Sequence, residues 1–421
     1  MRIRLYNARI LNKDMTISDG EVWTRDDRIE YVGAAKTSDR PFDSEYDIKG
    51  NLLMPSFKNC HTHSAMTFLR SYADDLPLRE WLFQKVFPQE AKLKGDRVYK
   101  FTKVAILEYL TSGVTAVFDM YFYPDDYVRA CTEAGFRSVL CGGVCGDDKA
   151  EDLENRFVKF NAVNPLISYK LGLHSEYLSP LPLIKDVAEL AKKYKAPVYM
   201  HNSETKREVE ECIGRYNMTP TEVLYENGIF EYGGGGFHCN FLSDRDFEIF
   251  KEKELWAVTN PSSNLKLSSG IAPIQRMQGE GVNIAIGTDG PASNNCLDMF
   301  REMFLVTALQ KLATGDASAC PAQDVLRMAA IDGARAMGLY DCDCIEEGKQ
   351  ADIIEIDLNQ PNMQPLHNIV KNIVYSGSKQ NVKMTMCAGK VLYRNGEFFV
   401  GDSPEHIYEQ ANEAVKELLS E

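Results

Sequence analysis

Eight short apolar runs recur through the middle of this 421-residue chain, and stretches of helical spacing lie between them. The runs are SFKNCHTH, GVTAVFDM, FRSVLCGGV, ISYKLGLH, APVYMH, GGGGFHC, LWAVTN and VNIAIGTDG. Runs that are apolar or β-branched along their length suit strands covered on both faces, as in a parallel sheet. Among the connecting stretches, PLPLIKDVAELAKKYKA places Leu183, Val187, Leu190, Ala191 and Tyr194 on one helical face. Eight strands alternating with helices predict an α/β fold, a TIM-type (β/α)8 barrel over residues 55–346, in preference to an open doubly wound sheet. No GxGxxG opens a helix after a strand, and no GxxxxGK followed by Ser or Thr occurs. The run Gly233–Gly236 therefore reads as close backbone packing at a strand start, not as a phosphate loop.

The two ends differ from the middle. IRLYNARIL, EVWTRDDRIEYVG and EYDIKGNLLMP near the start read as short strands joined by polar turns. So do ADIIEIDL, KNIVYSG and VKMTMCAGKVLYRNGEFFV near the end. They predict one small β-sandwich domain built from both termini, residues 1–54 with 347–402, and a C-terminal helix over 403–421. The charge balance is 47 Lys and Arg against 61 Asp and Glu, a net of −14. Such a surface repels phosphate backbones, so no nucleic-acid partner is expected. The opening MRIRLYNARILNKDMTISDG lacks the apolar centre of a signal peptide, and no run approaches the roughly 20 apolar residues of a membrane helix. A cytoplasmic protein with no membrane partner is expected. Eleven scattered cysteines, with CxC at Cys342 and Cys344 and CxxxC at Cys141 and Cys145, lack a second motif at zinc-finger spacing. They read as free thiols in a reducing compartment. A homo-oligomer is open, since dimers are common at this size but no heptad seam is visible.

The seven histidines carry the chemistry. His61 and His63 close strand one at i, i+2, so both point to the same face. His174, His201 and His238 end strands four, five and six, and Asp289 ends strand eight. Five histidines and one carboxylate thus gather at the C-terminal mouth of the barrel, the face that bears active sites in this fold. Imidazole with carboxylate is a ligand set for one divalent ion, zinc first, with iron or manganese as alternatives. His61, His63, His201 and Asp289 give four protein ligands and leave a position for water, whose pKa such an ion lowers towards about 7. Glu204, three residues past His201, can return over the site as the acid/base of a hydrolysis. His367 and His406 fall in the terminal segments and read as surface residues. HSE at 174–176 matches the HxE of base-flipping zinc deaminases, but no PCxxC follows and that reading fails.

These residues, with GVTAVFDMY, LGLHSEYLS, NPSSNLKLSSGIAPI, GTDGPASNN and EEGKQADIIEIDL, resemble the deaminase and chlorohydrolase branch of the amidohydrolase superfamily along nearly the whole chain. Within it they look most like the 5'-methylthioadenosine/S-adenosylhomocysteine deaminases. The resemblance implies a mononuclear metal site and hydrolytic deamination at C6 of an adenine nucleoside, a small-molecule substrate. It implies that Glu204 is the proton shuttle and touches the substrate. His238 would hydrogen-bond the attacking hydroxide, Asp289 would share in holding the tetrahedral intermediate, Glu90 would hold ribose hydroxyls and His174 would contact the purine. Binuclear members carry a carboxylated lysine on strand four; Lys170 lies four residues before His174, deeper in the barrel, and reads as structural.

One departure bears on the substrate. Relatives competent for S-adenosylhomocysteine carry arginines after strand three that grip its carboxylate. This chain reads LCGGVCGDDKAEDLENR there, with Gly142 in the place of one arginine and acids around the other. A guanidinium clamp is not replaced by Gly or Asp. Adenosine, 5'-deoxyadenosine and 5'-methylthioadenosine are therefore expected ahead of S-adenosylhomocysteine, with Arg70 and Arg79 as the other candidates for such a contact. The alternative within the same chemistry is a deaminase or chlorohydrolase of guanine, a pterin or a triazine. The remote alternative is a non-catalytic barrel-fold binding protein, which the intact ligand set and Glu204 disfavour.

Overall fold

A computed structural model describes residues 1–421. The chain opens with β1 (Arg2–Leu11), β2 (Ile17–Arg25), β3 (Arg28–Gly33), β4 (Ser44–Asp47) and β5 (Leu52–Pro55). Eight strands follow: β6 (Phe57–Thr62), β7 (Val114–Asp119), β8 (Arg137–Cys141), β9 (Ile167–Ser175), β10 (Val198–Asn202), β11 (Gly234–His238), β12 (Trp256–Thr259) and β13 (Asn283–Ile286). The chain closes with β14 (Ile353–Ile356), β15 (Val382–Cys387), β16 (Lys390–Arg394), β17 (Glu397–Phe398) and the helix Pro404–Ser420. No helix is long and apolar enough to cross a membrane.

Strands β6 to β13 coincide with the eight apolar runs and pair in sequence order, each parallel to the next. The helix Leu181–Tyr194 buries Leu183, Val187, Leu190 and Ala191 against them, the face read from the spacing. The barrel closes between β13 and β6 through contacts from residues just past β13 to residues of β6. Asp289 N–H donates to the His61 carbonyl at 2.9 Å, Thr288 N–H donates to Asn59 Oδ1 at 2.9 Å, and Asn59 Nδ2 donates to Thr288 Oγ1 at 2.7 Å. Two candidate ligands therefore sit on the closing seam itself.

The glycine run at β11 behaves as its sequence suggested. A Cβ on Gly235 would lie 2.2 Å from the Trp256 carbonyl oxygen, and one on Gly234 would lie 1.9 Å from that of Val198. Neither backbone can retreat, because both belong to neighbouring barrel strands. Gly235→Ala is expected to cost ~3 kcal/mol of stability through overpacking. The check is the midpoint of chemical unfolding, and an unchanged midpoint would show that the strands can part.

The terminal segments meet in one continuous mixed sheet, in the order β17-β16-β15-β14-β5-β1-β2-β3, with β4 paired to β1. β5 is the join: it runs parallel to β1 and antiparallel to β14. Alternation divides its side chains and those of β14. Leu53 and Ile353 enter a small core with Ile3, Leu5, Val22 and Met384, while Leu52, Met54, Ile354 and Ile356 join the large core shared with the barrel. The small β-sandwich expected from both termini takes the form of one continuous hydrogen-bonded sheet wrapped around 13 buried residues. One stretch departs from its predicted strand: the KNIVY of KNIVYSG lies in the helix Ile369–Tyr375. Asn368 caps it from its side chain, and Val370, Ile373 and Val374 are buried at helical spacing, a period that the short run concealed.

A buried ion cluster lies where sheet and barrel meet. Asp352, just before β14, accepts from Arg137 Nη2 at 3.0 Å, Arg137 Nε at 3.1 Å, Thr115 Oγ1 at 2.8 Å and the Ala388 N–H at 2.8 Å. Lys58 Nζ stands 3.5 Å from the same carboxylate and donates to Ser56 Oγ at 2.5 Å. All three charged groups are buried. Arg137 opens β8 and Lys58 is the second residue of β6, so the cluster marks the N-terminal end of the barrel, opposite the mouth.

Candidate active site

The barrel brings His61, His63, His174, His201, His238 and Asp289 together at one mouth. His61 and His63 ring centroids are 4.9 Å apart, His61 and His201 4.9 Å, His61 and His238 5.6 Å, and His174 and His201 4.6 Å. Single ligand atoms of His61, His63 and His201 lie within 4.8 Å of one another, and so do those of His61, His238 and Asp289. Asp289 Oδ1 is 3.2 Å from His63 Nε2 and 3.5 Å from His61 Nε2.

Backbone and amide acceptors orient the rings. His63 Nδ1 meets the Met120 carbonyl at 2.6 Å, His201 Nδ1 the His174 carbonyl at 2.7 Å, and His238 Nδ1 the side-chain oxygen of Asn264 at 2.7 Å. An N–H committed at Nδ1 leaves the Nε2 lone pair for the mouth. His61 is completely buried, stacked on Phe237, and neither ring nitrogen has a protein hydrogen-bond partner. A buried polar atom without a partner is costly, and an imidazole directed at a carboxylate among other imidazoles fits a first-row divalent ion. Asp289 is shaped for the same task. Ser263 and Ser293 donate to Oδ2 at 2.5 and 2.9 Å, so Oδ1, which accepts from the Gly290 N–H at 2.7 Å, faces the rings.

The electrostatics agree. Burial pushes His61 down to about 3 and His201 well below the ordinary imidazole range, so both rings are neutral donors of a lone pair. At His63 burial acts downward too, but the hydrogen bond and charge of Asp289 outweigh it and raise the ring to about 9. A divalent cation held there would have to compete with that proton. Burial lowers His174 to about 4 and leaves it uncharged.

Glu204 stands at the rim, its Oε2 3.9 Å from His238 Nε2 and its Oε1 accepting from Ser269 Oγ at 2.8 Å. Glu90 is buried in the helix Phe87–Glu90, where its carboxylate accepts from Tyr121 O–H at 2.7 Å. Burial raises its pKa against the effect of that bond. Lys170 is not among these groups. It shares a cavity of ≈ 670 Å³ with Gly234 and Trp256, the first residues of β11 and β12, and so belongs to the barrel's other end. His367 and His406 are exposed.

The sequence pattern of the amidohydrolase family matches residues 52–392. The chain belongs to the amidohydrolase family. Over 99% of both chains, this amidohydrolase is 38% identical to a 5-methylthioadenosine/S-adenosylhomocysteine deaminase of Dictyoglomus thermophilum. It is 39% identical to a 5'-deoxyadenosine deaminase of Methanothermobacter thermautotrophicus, over 96% of this chain and 95% of that one. Among solved structures, an adenosine deaminase from Xanthomonas campestris with bound zinc superposes with a TM-score of 0.93 at 30% identity, covering 100% of this chain and 98% of the other.

Within the amidohydrolase frame, the stretch after β8 gains detail. A Cβ on Gly142 would lie 2.3 Å from Leu153 Cδ1 and 3.1 Å from the Gly172 backbone, so a side chain there would have to displace the tip of Leu153 and crowd that backbone. Of the other candidates for a carboxylate contact, Arg70 is paired to Glu108 at 2.5 Å, whereas Arg79 is exposed. Sequence reasoning passed over Arg156. It lies on the helix Ala150–Phe160 and shares a groove of ≈ 800 Å³ with Glu90, Phe122, Tyr123 and Asp152. Only the docking of that helix brings Arg156 to Glu90, and no local motif announces it. Ser263, Asn264 and Ser269 were also missed as individual residues, although they stand in the quoted NPSSNLKLSSGIAPI.

Proposed function

We propose that this amidohydrolase is a metal-dependent hydrolytic deaminase of adenine nucleosides. It takes 5'-methylthioadenosine, adenosine or 5'-deoxyadenosine to the inosine analogue and ammonia. The observation that carries the reading is the meeting of a carboxylic acid/base, Glu204, with four imidazoles and Asp289 at one mouth. The full-length likeness to named nucleoside deaminases supports it.

His61, His63, His201 and Asp289 would hold one divalent ion, zinc first, with iron or manganese as alternatives. Such an ion, when bound, supplies Lewis acidity and a water acidic near pH 7. His238 is reserved from the ligand set because its Nε2 faces Glu204, where it can hydrogen-bond the oxygen that adds to C6. Glu204 takes a proton from the water that adds and gives it to the ring nitrogen, while the new C6–O bond makes C6 tetrahedral. Asp289 Oδ1, the oxygen turned to the mouth, helps to hold that carbon's new hydroxyl. Glu204 then takes the proton of the new hydroxyl and passes it to the amino group, so that the C6–N bond breaks, ammonia leaves and C6 becomes a carbonyl. Positioning donor and acceptor on one carbon replaces a difficult attack on an aromatic ring. Glu90 accepts from ribose hydroxyls, and His174, kept neutral by burial, meets the purine without a charge.

The test is ammonia release by zinc-reconstituted protein from adenosine, 5'-deoxyadenosine, 5'-methylthioadenosine, S-adenosylhomocysteine, guanine, a pterin and a chlorotriazine. The first three are expected to be turned over. S-adenosylhomocysteine is expected to be at least ~10-fold poorer in kcat/KM, the worth of a missing charged hydrogen bond. A preference for S-adenosylhomocysteine would overturn the second expectation and point to Arg156; turnover of guanine, pterin or triazine alone would overturn the first.

A further inference from the structure

The short segment after β12 touches three groups of the site at once. Ser263 Oγ donates to Asp289 Oδ2, Asn264 Oδ1 accepts from His238 Nδ1, and Ser269 Oγ donates to Glu204 Oε1, at 2.5, 2.7 and 2.8 Å. Those three partners come from the ends of β13, β11 and β10, so seven residues, running from the short helix Pro261–Lys266 into the loop after it, gauge the relative placement of three strands. Asn264 is buried and uses both ends of its amide. Its nitrogen donates to Asn240 Oδ1 at 2.8 Å, and the Asn240 nitrogen donates to the Glu204 carbonyl at 2.9 Å. An unbroken chain therefore runs from the His238 ring through Asn264 and Asn240 to the Glu204 backbone.

The other side of that backbone is held as well. Glu208 accepts from the N–H groups of Ser203, Glu204 and Thr205 at 3.1, 2.8 and 3.4 Å, and with Thr205 forms the capping box of the helix Lys206–Tyr216. What stays free at Glu204 is its side chain, and Ser269 supplies the one hydrogen bond to its carboxylate.

We propose that Ser269 and Asn264 are positioning residues for the proton transfer. Ser269 caps Glu204 Oε1 and turns Oε2 to the mouth. Asn264 holds the His238 ring with Nε2 free and ties it to the Glu204 backbone. The purpose of this arrangement rests on the deaminase reading; the contacts do not. A hydroxyl bond to a charged oxygen that fixes one rotamer changes the population of the working geometry by about 10–100-fold.

Ser269→Ala in the zinc-loaded protein is expected to lower kcat by about 10–100-fold, with KM within about 3-fold and zinc per chain equal to the parent. Ser269→Thr, which keeps the hydroxyl, restores most of the rate. In a Glu204→Gln background Ser269→Ala should change kcat by less than about 2-fold, because the step it serves is already gone. Equal losses in both backgrounds would show a general structural role and overturn the proposal. Asn264→Asp keeps the acceptor for His238 and removes the donor to Asn240; it too should lower kcat with zinc retained, and an unchanged kcat overturns that half. A crystal structure of Ser269→Ala with zinc gives a readout apart from activity. The Glu204 carboxylate should leave its place while His61, His63, His201 and Asp289 stay, and an unmoved Glu204 overturns the proposal. A parent protein that deaminates no nucleoside removes the deaminase reading and leaves this structural arm to decide the positioning.

Discussion

Glu204→Gln is expected to lower kcat by about 10²–10⁴-fold while the divalent ion stays bound. The amide has the shape of the carboxylate and can still accept from Ser269 Oγ, and the Glu204 backbone keeps its bonds to Glu208 and Asn240. None of the four proposed ligands is touched. What is lost is the ability to take a proton and give it back, which both halves of the reaction require. The measurement is kcat on the preferred nucleoside beside zinc per chain. Near-parental turnover would remove Glu204 as the proton carrier, and loss of zinc would instead make it a ligand.

Asp352→Ala is expected to cost ~3–5 kcal/mol of stability, because Lys58 and Arg137 would remain buried without their counter-charge. Burial alone would raise the Asp352 pKa, but the Arg137 and Lys58 charges hold it far below the ordinary carboxylate range. A carboxyl whose pKa is depressed by folding contributes fully above its unfolded value of about 4, and the contribution falls away only at more acid pH. The loss in the variant should therefore be the same at pH 6 and pH 8. Urea unfolding at both values checks it, and a variant as stable as the parent would show that the two cations find other partners. Because the cluster lies at the end of the barrel opposite the mouth, kcat of the folded variant should be unchanged. A drop in kcat would mean that strain at this end reaches the site.

The barrel was legible because its eight strands are covered on both faces, and such strands read as plain apolar runs. The ligand candidates were legible for a related reason: β11 finishes on His238 and β10 has His201 as its last residue but one, and a strand's end is where a barrel opens. KNIVYSG was not legible, since a run of that length carries too little period to separate strand from helix, and burial by neighbours decided it. Asn264 and Ser269 escaped for the opposite reason. Polar residues in a short helix or the loop after it are ordinary, and their partners, His238 and Glu204, arrive from other strands, so nothing local distinguishes them from solvated neighbours. Gly142 was read as a missing arginine; the fold adds that a side chain there would crowd Gly172 and displace Leu153.

The placement of β5 has a consequence for biosynthesis. Leu53 pairs with Glu355, and Met54 with Ile354, partners that leave the ribosome some 300 residues later. During most of translation the strand LLMP has one unpaired edge and two apolar faces, the kind of edge that recruits other chains. The N-terminal layer can be completed only once β14 has emerged. By then Asp289 is already made, and the barrel that bears the site can close before its own doorstep is laid.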